Sequence, residues 1–370
     1  LPEISQENLV IFLTALAALA AGGVIAFALT PLVRLLAFRI NAVDVPKDGR
    51  RMHTKPMPLI GGVAIFAAFA ASSLIFGDRS EKLIGTLIGG AIIVILGVLD
   101  DKFDLNPFVK LLGQVLAAQV LIAFGMKIEY INIFGKYVVF GFWSYPITIF
   151  WVVLLTNAIN LIDGLDGLAC GVSTIASVSL LIFTVIKGEP EIMTVVAALV
   201  GACIGFLPYN TNPARIFMGD TGALMLGFVM SAISLQGLFK FNTVVSFWIP
   251  FVLFGLPFGD TFFAFFRRLF TGKHPFKGDR GHLHHRLIDA GFSQRQSVLI
   301  LYAISALCGA SAILFTENRV IGAVTAIVVA LAIIFFNLIV MKKKKTSSPS
   351  GLPDEGKTDE NASSEKGEDK

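Results

Sequence analysis

Eleven apolar stretches of near membrane-spanning length follow one another through this chain, and their succession limits its fold more than any other feature. They fall at about 8–29 (running on toward 38), 58–77, 83–99, 107–125, 143–159, 167–186, 192–207, 216–236, 243–266, 296–316 and 319–341. A helix needs roughly 20 apolar residues to cross a bilayer, and the bilayer admits only segments that satisfy their backbone polar groups internally. The expected fold is therefore all-α: a polytopic integral membrane protein of about eleven transmembrane helices. Composition agrees, with 55% hydrophobic and only 15% charged residues among 370, against about 25% charged in soluble domains. Cys170, Cys203 and Cys308 all lie in apolar stretches without metal or redox spacing, which excludes a disulfide scaffold. One segment departs from the helical pattern. Residues 126–142 alternate loosely around Phe134-Gly135-Lys136, as a small β-hairpin would.

Charge divides the chain in two. Residues 346–370 carry 7 Asp/Glu and 3 Lys with almost no apolar side chains, too little to bury for folding. They read as a disordered polar tail, and 1–345 as a single membrane domain. Within that domain, one set of loops holds 20 Lys/Arg and the other 7. By the positive-inside rule the N-terminus faces outward and the C-terminus the cytoplasm. Glu3 and Glu7, with no basic residue, precede the first apolar run, unlike the positive start of a cleaved signal peptide.

Polar residues near a membrane core are expensive and point to function. Here they gather at helix ends on the expected cytoplasmic side. Asp100-Asp101-Lys102-Phe103-Asp104 closes the third span. Adjacent carboxylates repel unless a cation or proton lies between them, so the motif reads either as a Mg²⁺ or general-base site or as a solvated helix end. Asn157-Ala-Ile-Asn160-Leu-Ile-Asp163-Gly-Leu-Asp166-Gly-Leu-Ala169 places two amides on one helix face, followed by two Asp-Gly pairs. Such oxygens suit a hard cation or a uracil and ribose edge, although Asx turns would use the same residues. Asn210, then Phe217-Met-Gly219-Asp220-Thr-Gly222, opens the eighth span, where helix-end N–H groups favour phosphate and Asp220 favours a cation. Phe217 could stack on a base or simply pack.

A basic loop follows the ninth span: Arg267-Arg268, then Lys273 to Arg286 with His282, His284 and His285. The spacing does not match structural zinc, and the surrounding Lys and Arg favour an anion. The plainer reading is a basic loop beside anionic lipid. Arg50-Arg51-Met-His53-Thr-Lys55-Pro56-Met-Pro58 forms a second basic loop that could close over an anionic substrate. Carboxylates and amides for Mg²⁺, beside cations for phosphate, are the combination needed to bring one phosphate against another.

These motifs resemble the polyprenyl-phosphate N-acetylhexosamine-1-phosphate transferase family, over roughly residues 30–340. The Asn157-to-Ala169 run is the most specific; Asp100-Asp101, Phe217-Met-Gly-Asp220-x-Gly222 and His282-Leu-His284-His285-Arg286 accompany it. The resemblance implies that a polyprenyl phosphate attacks the β-phosphate of a UDP-amino sugar, releasing UMP, with Mg²⁺ or Mn²⁺ as cofactor. It implies Asp220 and Asn160 as metal ligands, and Asp100 and Asp101 as the pair that orients or deprotonates the lipid phosphate. Asp163 is expected among the catalytic carboxylates and near the uridine, with Asn210 and Phe217. Asn157, Asp166, Lys110, His53, Lys55, His282, His284, His285 and Arg286 are the expected substrate contacts.

His53-x-x-Pro56-x-Pro58-x-x-Gly61-Gly62, Asp260-Thr261 with Arg267-Arg268, and the histidine segment resemble the branch that uses UDP-GlcNAc. That branch acts on undecaprenyl phosphate in the bacterial plasma membrane and starts polymers such as teichoic acid or lipopolysaccharide. The alternative branch transfers phospho-MurNAc-pentapeptide for peptidoglycan. Membrane lipids and a second copy of the chain are expected partners; nucleic acid is not. An intramembrane prenyltransferase would need a second Asp-rich motif better than Asp163-x-x-Asp166. A CDP-alcohol phosphotransferase would need Asp-Gly-x-x-Ala-Arg, which fails after Gly164. A nucleotide-sugar transporter should carry polar groups near the bilayer midplane, not at one face.

Overall fold

The computed structural model describes residues 6–45, 56–133, 136–237, 248–272, 281–318 and 320–331. The sequence runs into long helices because long apolar stretches satisfy their backbone polar groups internally in that form. α1 (Gln6–Arg39) is continuous even through Pro31, so the first apolar run and its basic extension form one rod. At 1.5 Å per residue it is about 50 Å long, more than the hydrocarbon thickness. β1 (Val43–Asp44) pairs antiparallel with β2 (Met57–Pro58), the latter leading into α2 (Gly62–Phe76). Then come α3 (Glu81–Phe103) and α4 (Pro107–Ala123). The expected hairpin is present as β3 (Tyr130–Ile133) and β4 (Lys136–Val139), with Tyr130 opposite Val139. α5 (Ser144–Ile162), α6 (Leu168–Lys187), α7 (Pro190–Asn210) and α8 (Gly219–Gln236) follow.

The stretch read as one span at 243–266 is broken in its described part. α9 (Trp248–Leu253) and α10 (Gly255–Phe270) meet at Phe254, which lies outside both helices. α11 (Leu283–Asp289) is a single short helix; α12 (Gln294–Glu317) and α13 (Val320–Leu331) complete the described chain. Among the described residues, six helices are long and apolar enough to cross a membrane: those at Leu9–Arg39, Glu81–Phe103, Gly141–Ile162, Leu168–Lys187, Pro190–Asn210 and Gln294–Glu317. α2, α4 and α13 are apolar but shorter. His53, Lys55, residues 273–280 and the tail at 346–370 lie outside the described residues.

A helix that is apolar all round must be buried or face lipid, and both kinds occur. α8 is the axis of the bundle: every side chain from Thr221 to Leu235 is buried, with α2, α3 and α5 packed around it. α1 packs along α7 on one side and turns Leu9, Phe12, Leu13, Leu16, Val24, Phe27 and Leu32 outward. Close packing on α8 depends on missing side chains. A Cβ on Gly97 of α3 would strike the Thr221 backbone, and one on Gly62 of α2 the Gly222 backbone. Small residues allow this approach between membrane helices. Gly97→Ala should therefore cost about 1–3 kcal/mol, because backbone, not a flexible side chain, blocks the new methyl group. The check is the unfolding temperature in detergent; an unchanged value would show that α3 and α8 can separate freely.

The chain reversals bring four helix ends together. Asp104 takes a left-handed conformation (φ 52°) and ends α3. Asp100 and Asp104 therefore do not continue along one helix face, the arrangement that a longer helix would give. Asn106 then caps α4, its side chain accepting from the Phe108 N–H at 2.9 Å, with Pro107 in the first turn. This tight link sets the start of α4 beside the end of α3.

Candidate active site

Lys110, one turn into α4, reaches two carboxylates on different helices. Its Nζ is 2.6 Å from Asp100 Oδ2 at the end of α3 and 3.2 Å from Asp220 Oδ2 at the start of α8. Asp220 Oδ1 accepts from Asn160 Nδ2 at the end of α5, at 2.8 Å. Asp100 is almost fully enclosed (2% of its side chain exposed), and its Oδ1 accepts from the Leu105 N–H at 2.9 Å. Asp220 keeps 36% of its side chain exposed, so of these two carboxylates it is the one open to a ligand.

Asp101 is placed differently, although it is the same residue type one position on. Its Oδ1 accepts from the Asp220 N–H (2.8 Å), and its Oδ2 from the Thr221 N–H (3.1 Å) and the Thr221 hydroxyl (2.6 Å). It therefore satisfies the otherwise unpaired donors at the N-terminus of α8 and complements that helix dipole. Gly219 makes room for it: its φ of +70° suits glycine, and a Cβ there would collide with the Asp101 carboxylate. Both Asp101 oxygens are thus committed to holding α8, and with it Asp220.

The Asp-Gly run turns away from α5 beside this cluster. Burial pushes the Asp163 carboxyl up to about 8, with the charges of Asp220, Asp101 and Asp166 adding to the shift. So many carboxylates in one place favour a cation. Asp166 Oδ2 accepts from Asn212 Nδ2 (3.0 Å) and the Ala214 N–H (3.1 Å), and Asn212 also donates to Gln294 (2.9 Å). Asp166 therefore ties its own turn to the 211–215 loop. Asn157, an expected substrate contact, forms a reciprocal amide pair with Gln114 of α4, at 2.6 and 3.3 Å. That pairing uses it to join α4 to α5. Asn210 is buried and donates to the Ile216 carbonyl at 3.0 Å, shaping the loop that carries half-buried Phe217.

The described part of the histidine segment is mostly buried. His282 was expected to meet substrate, but both of its ring nitrogens face protein: Nδ1 lies 2.9 Å from Asp260 Oδ2, and Nε2 lies 3.5 Å from an Arg268 nitrogen. His284 is 3% exposed, and its Nε2 has no hydrogen-bond partner. Its ring lies where a Cβ on Gly164 would be. Burial, with the charge of His285 adding, pulls the His284 imidazole down to about 3, so it is neutral. His285 packs against His284 with ring centroids 4.2 Å apart. The Arg286 guanidinium lies 4.3 Å over the Phe263 ring.

Sequence reasoning gave no role to Thr221 within the Phe217–Gly222 motif, and none to Gln114, Asn212 and Tyr302, whose hydroxyl donates to the Gly167 carbonyl at 2.5 Å. Each is an ordinary polar residue in or beside an apolar helix, and a polar residue at membrane depth was the only signal available. Among the described residues no three His, Cys, Asp or Glu side chains converge as a ready metal cage. That arrangement still fits Mg²⁺, which binds through one or two carboxylates plus substrate phosphates rather than through all-protein cages. The Lys110 ammonium already stands as a cation between Asp100 and Asp220.

A multi-pass helical membrane protein that gathers carboxylates, an amide and a lysine from four helix ends belongs to the class of membrane-embedded transferases. Residues 83–238 match the model of glycosyl transferase family 4. The chain is 38% identical to a probable undecaprenyl-phosphate N-acetylglucosaminyl 1-phosphate transferase of Bacillus subtilis, covering 84% of this chain and 87% of that protein. It is 32% identical to a decaprenyl-phosphate N-acetylglucosaminephosphotransferase of Mycolicibacterium smegmatis, covering 89% and 88%. It is 28% identical to an undecaprenyl-phosphate alpha-N-acetylglucosaminyl 1-phosphate transferase of Escherichia coli, covering 76% and 78%. The chain belongs to this family of polyprenyl-phosphate N-acetylhexosamine-1-phosphate transferases.

Proposed function

We propose that the chain transfers GlcNAc-1-phosphate from UDP-GlcNAc to undecaprenyl phosphate, as the first membrane step of a cell-envelope glycopolymer. An oxygen of the lipid phosphate attacks the β-phosphorus of the donor. The bond to the α-phosphate oxygen breaks, and UMP leaves. The observation that carries this reading is Lys110 held between Asp100 and Asp220, with Asn160 on the same Asp220 carboxylate. Such a site can neutralise one phosphate while another approaches.

Asp220 and Asn160 would hold Mg²⁺ (Mn²⁺ being the alternative), which supplies charge neutralisation on the diphosphate. Asp100 orients the lipid phosphate and takes any proton it carries. Lys110 meets the diphosphate. Asp163, Asn210 and Phe217 form the uridine side, and His284, His285 and Arg286 the sugar-phosphate side. His53 and Lys55 are the remaining proposed contacts of the anionic donor. In this reading residues 1–345 form one catalytic domain with eleven spans, an outward N-terminus and the active site on the cytoplasmic face of a bacterial plasma membrane. The chemistry needs no covalent enzyme intermediate.

The test is purified protein in detergent with Mg²⁺ and undecaprenyl phosphate. Labelled UDP-GlcNAc goes in one reaction and labelled UDP-MurNAc-pentapeptide in another. Lipid-soluble label with release of UMP is expected from UDP-GlcNAc alone. Label from the pentapeptide substrate alone would overturn the donor assignment, and none from either would overturn the activity.

A further inference from the structure

We propose that Asp260, a buried carboxylate of α10, is a positioning residue for the transfer reaction, clamping the segment from Gly281 to Arg286 so that His284 is pressed against the Asp163-Gly164 turn. The inference rests on the transferase reading above and adds a residue to which that reading gives no role.

Asp260 lies in apolar surroundings: Phe251, Val252, Leu256, Phe263 and Leu283 line the same cavity. A carboxylate in such a place is costly unless its oxygens are paired. Both are. Oδ1 accepts from the Leu283 N–H at 2.8 Å, and Oδ2 faces His282 Nδ1 at 2.9 Å. One side chain therefore holds the ring of one residue and the backbone of the next. Two further ties come from the same helix. Arg267 donates to the Gly281 carbonyl at 2.6 Å, and Phe263 lies under the Arg286 guanidinium. α10 thus grips the segment before, at and after His282.

The grip is needed because of what it holds. α11 has seven residues, far fewer than a helix needs to persist alone. Its direction is set by attachment, and its first turn carries His284. The imidazole of His284 has no hydrogen-bond partner at Nε2 and lies against Gly164, between Asp163 and Asp166. The carboxylate also orients the ring. With Nδ1–H donated to Asp260, His282 Nε2 is turned toward Arg268, 3.5 Å away. An asparagine of the same shape offers only one acceptor oxygen for these two donors. It either drops the Leu283 N–H or forces His282 to carry its proton toward Arg268.

The experiment compares wild type with Asp260→Asn for kcat and KM with UDP-GlcNAc, unfolding temperature, and amide hydrogen exchange across 282–289. Asp260→Asn should lower kcat about tenfold or more, the size of effect that follows loss of an outer partner that positions a functional group. KM for UDP-GlcNAc should stay within about threefold, because the Asp163-Gly164 turn keeps its own backbone hydrogen bonds to the end of α5, and Asn210 and Phe217 belong to another loop. Exchange in α11 should quicken about tenfold, while the unfolding temperature moves little. A kcat near wild type, or unchanged exchange in α11, would overturn the proposal. So would a loss of kcat that merely tracks a loss of folded protein. If Asp260→Asn does not fold, Arg267→Gln decides: wild-type kcat in that variant overturns the clamp, and a several-fold drop with unchanged KM supports it. Inactive wild type would instead count against the transferase reading, and the exchange measurement would still judge the clamp.

Discussion

Asp220→Asn should lower the transfer rate by about 100- to 1,000-fold or more, the range seen when one preorganised electrostatic group is removed from an active site. The fold should survive the change. The Asp220 N–H would still donate to Asp101, and Lys110 would keep its 2.6 Å ion pair with Asp100. What disappears is the one carboxylate of the Lys110 cluster that is open to a ligand. Asparagine is the same size but carries no charge and turns one oxygen into a donor, facing Lys110 Nζ or Asn160 Nδ2. The variant should also lose the response of its rate to Mg²⁺ concentration, and Mg²⁺ should no longer raise its unfolding temperature. Mass action makes that second readout independent of turnover, because a ligand that binds only the folded state stabilises it. A variant that kept full activity, or an unchanged Mg²⁺ response, would move the metal away from Asp220.

Much of the architecture was legible because bilayers allow few solutions. Length and hydropathy located α2 through α8 and α12 to within a few residues, and loose alternation located the β3–β4 hairpin. The break at Phe254 was missed because hydropathy is blind to where a helix bends, although Gly255 and Pro257 just past it are breaker residues. The site residues were legible as a set, since charges at helix ends in an apolar chain stand out. Their division of labour was not. Asn157 and Asn160 share one helix face, yet one pairs with Gln114 and the other with Asp220. His282 and His284 stand two apart, yet one is tied to Asp260 and the other lies against Gly164. Those differences come from neighbours more than 20 positions away in sequence, and no local pattern encodes them.

One substitution at each position of the adjacent pair Asp100-Asp101 should separate chemistry from structure. Asp100→Asn should remove about 100-fold or more of the rate, in the range of a lost general base or orienting carboxylate, while the protein stays folded. Lys110 would retain Asp220 as partner, so no buried charge is stranded. Asp101→Asn should behave in the opposite order. Its two oxygens meet three donors at the start of α8, and an amide nitrogen in place of either oxygen would confront N–H or O–H groups with another donor. Each hydrogen bond to a charged group contributes about 1.5–3 kcal/mol, so the unfolding temperature should fall by several degrees. The rate should fall only as far as Asp220 shifts out of place, since both Asp101 oxygens are taken up by the donors at the start of α8. Paired measurement of turnover per folded molecule and of thermal unfolding in both variants makes the comparison. If Asp101→Asn proved as stable as wild type yet inactive, the second aspartate would have to act on substrate itself. The cap on α8 would then be incidental to its role.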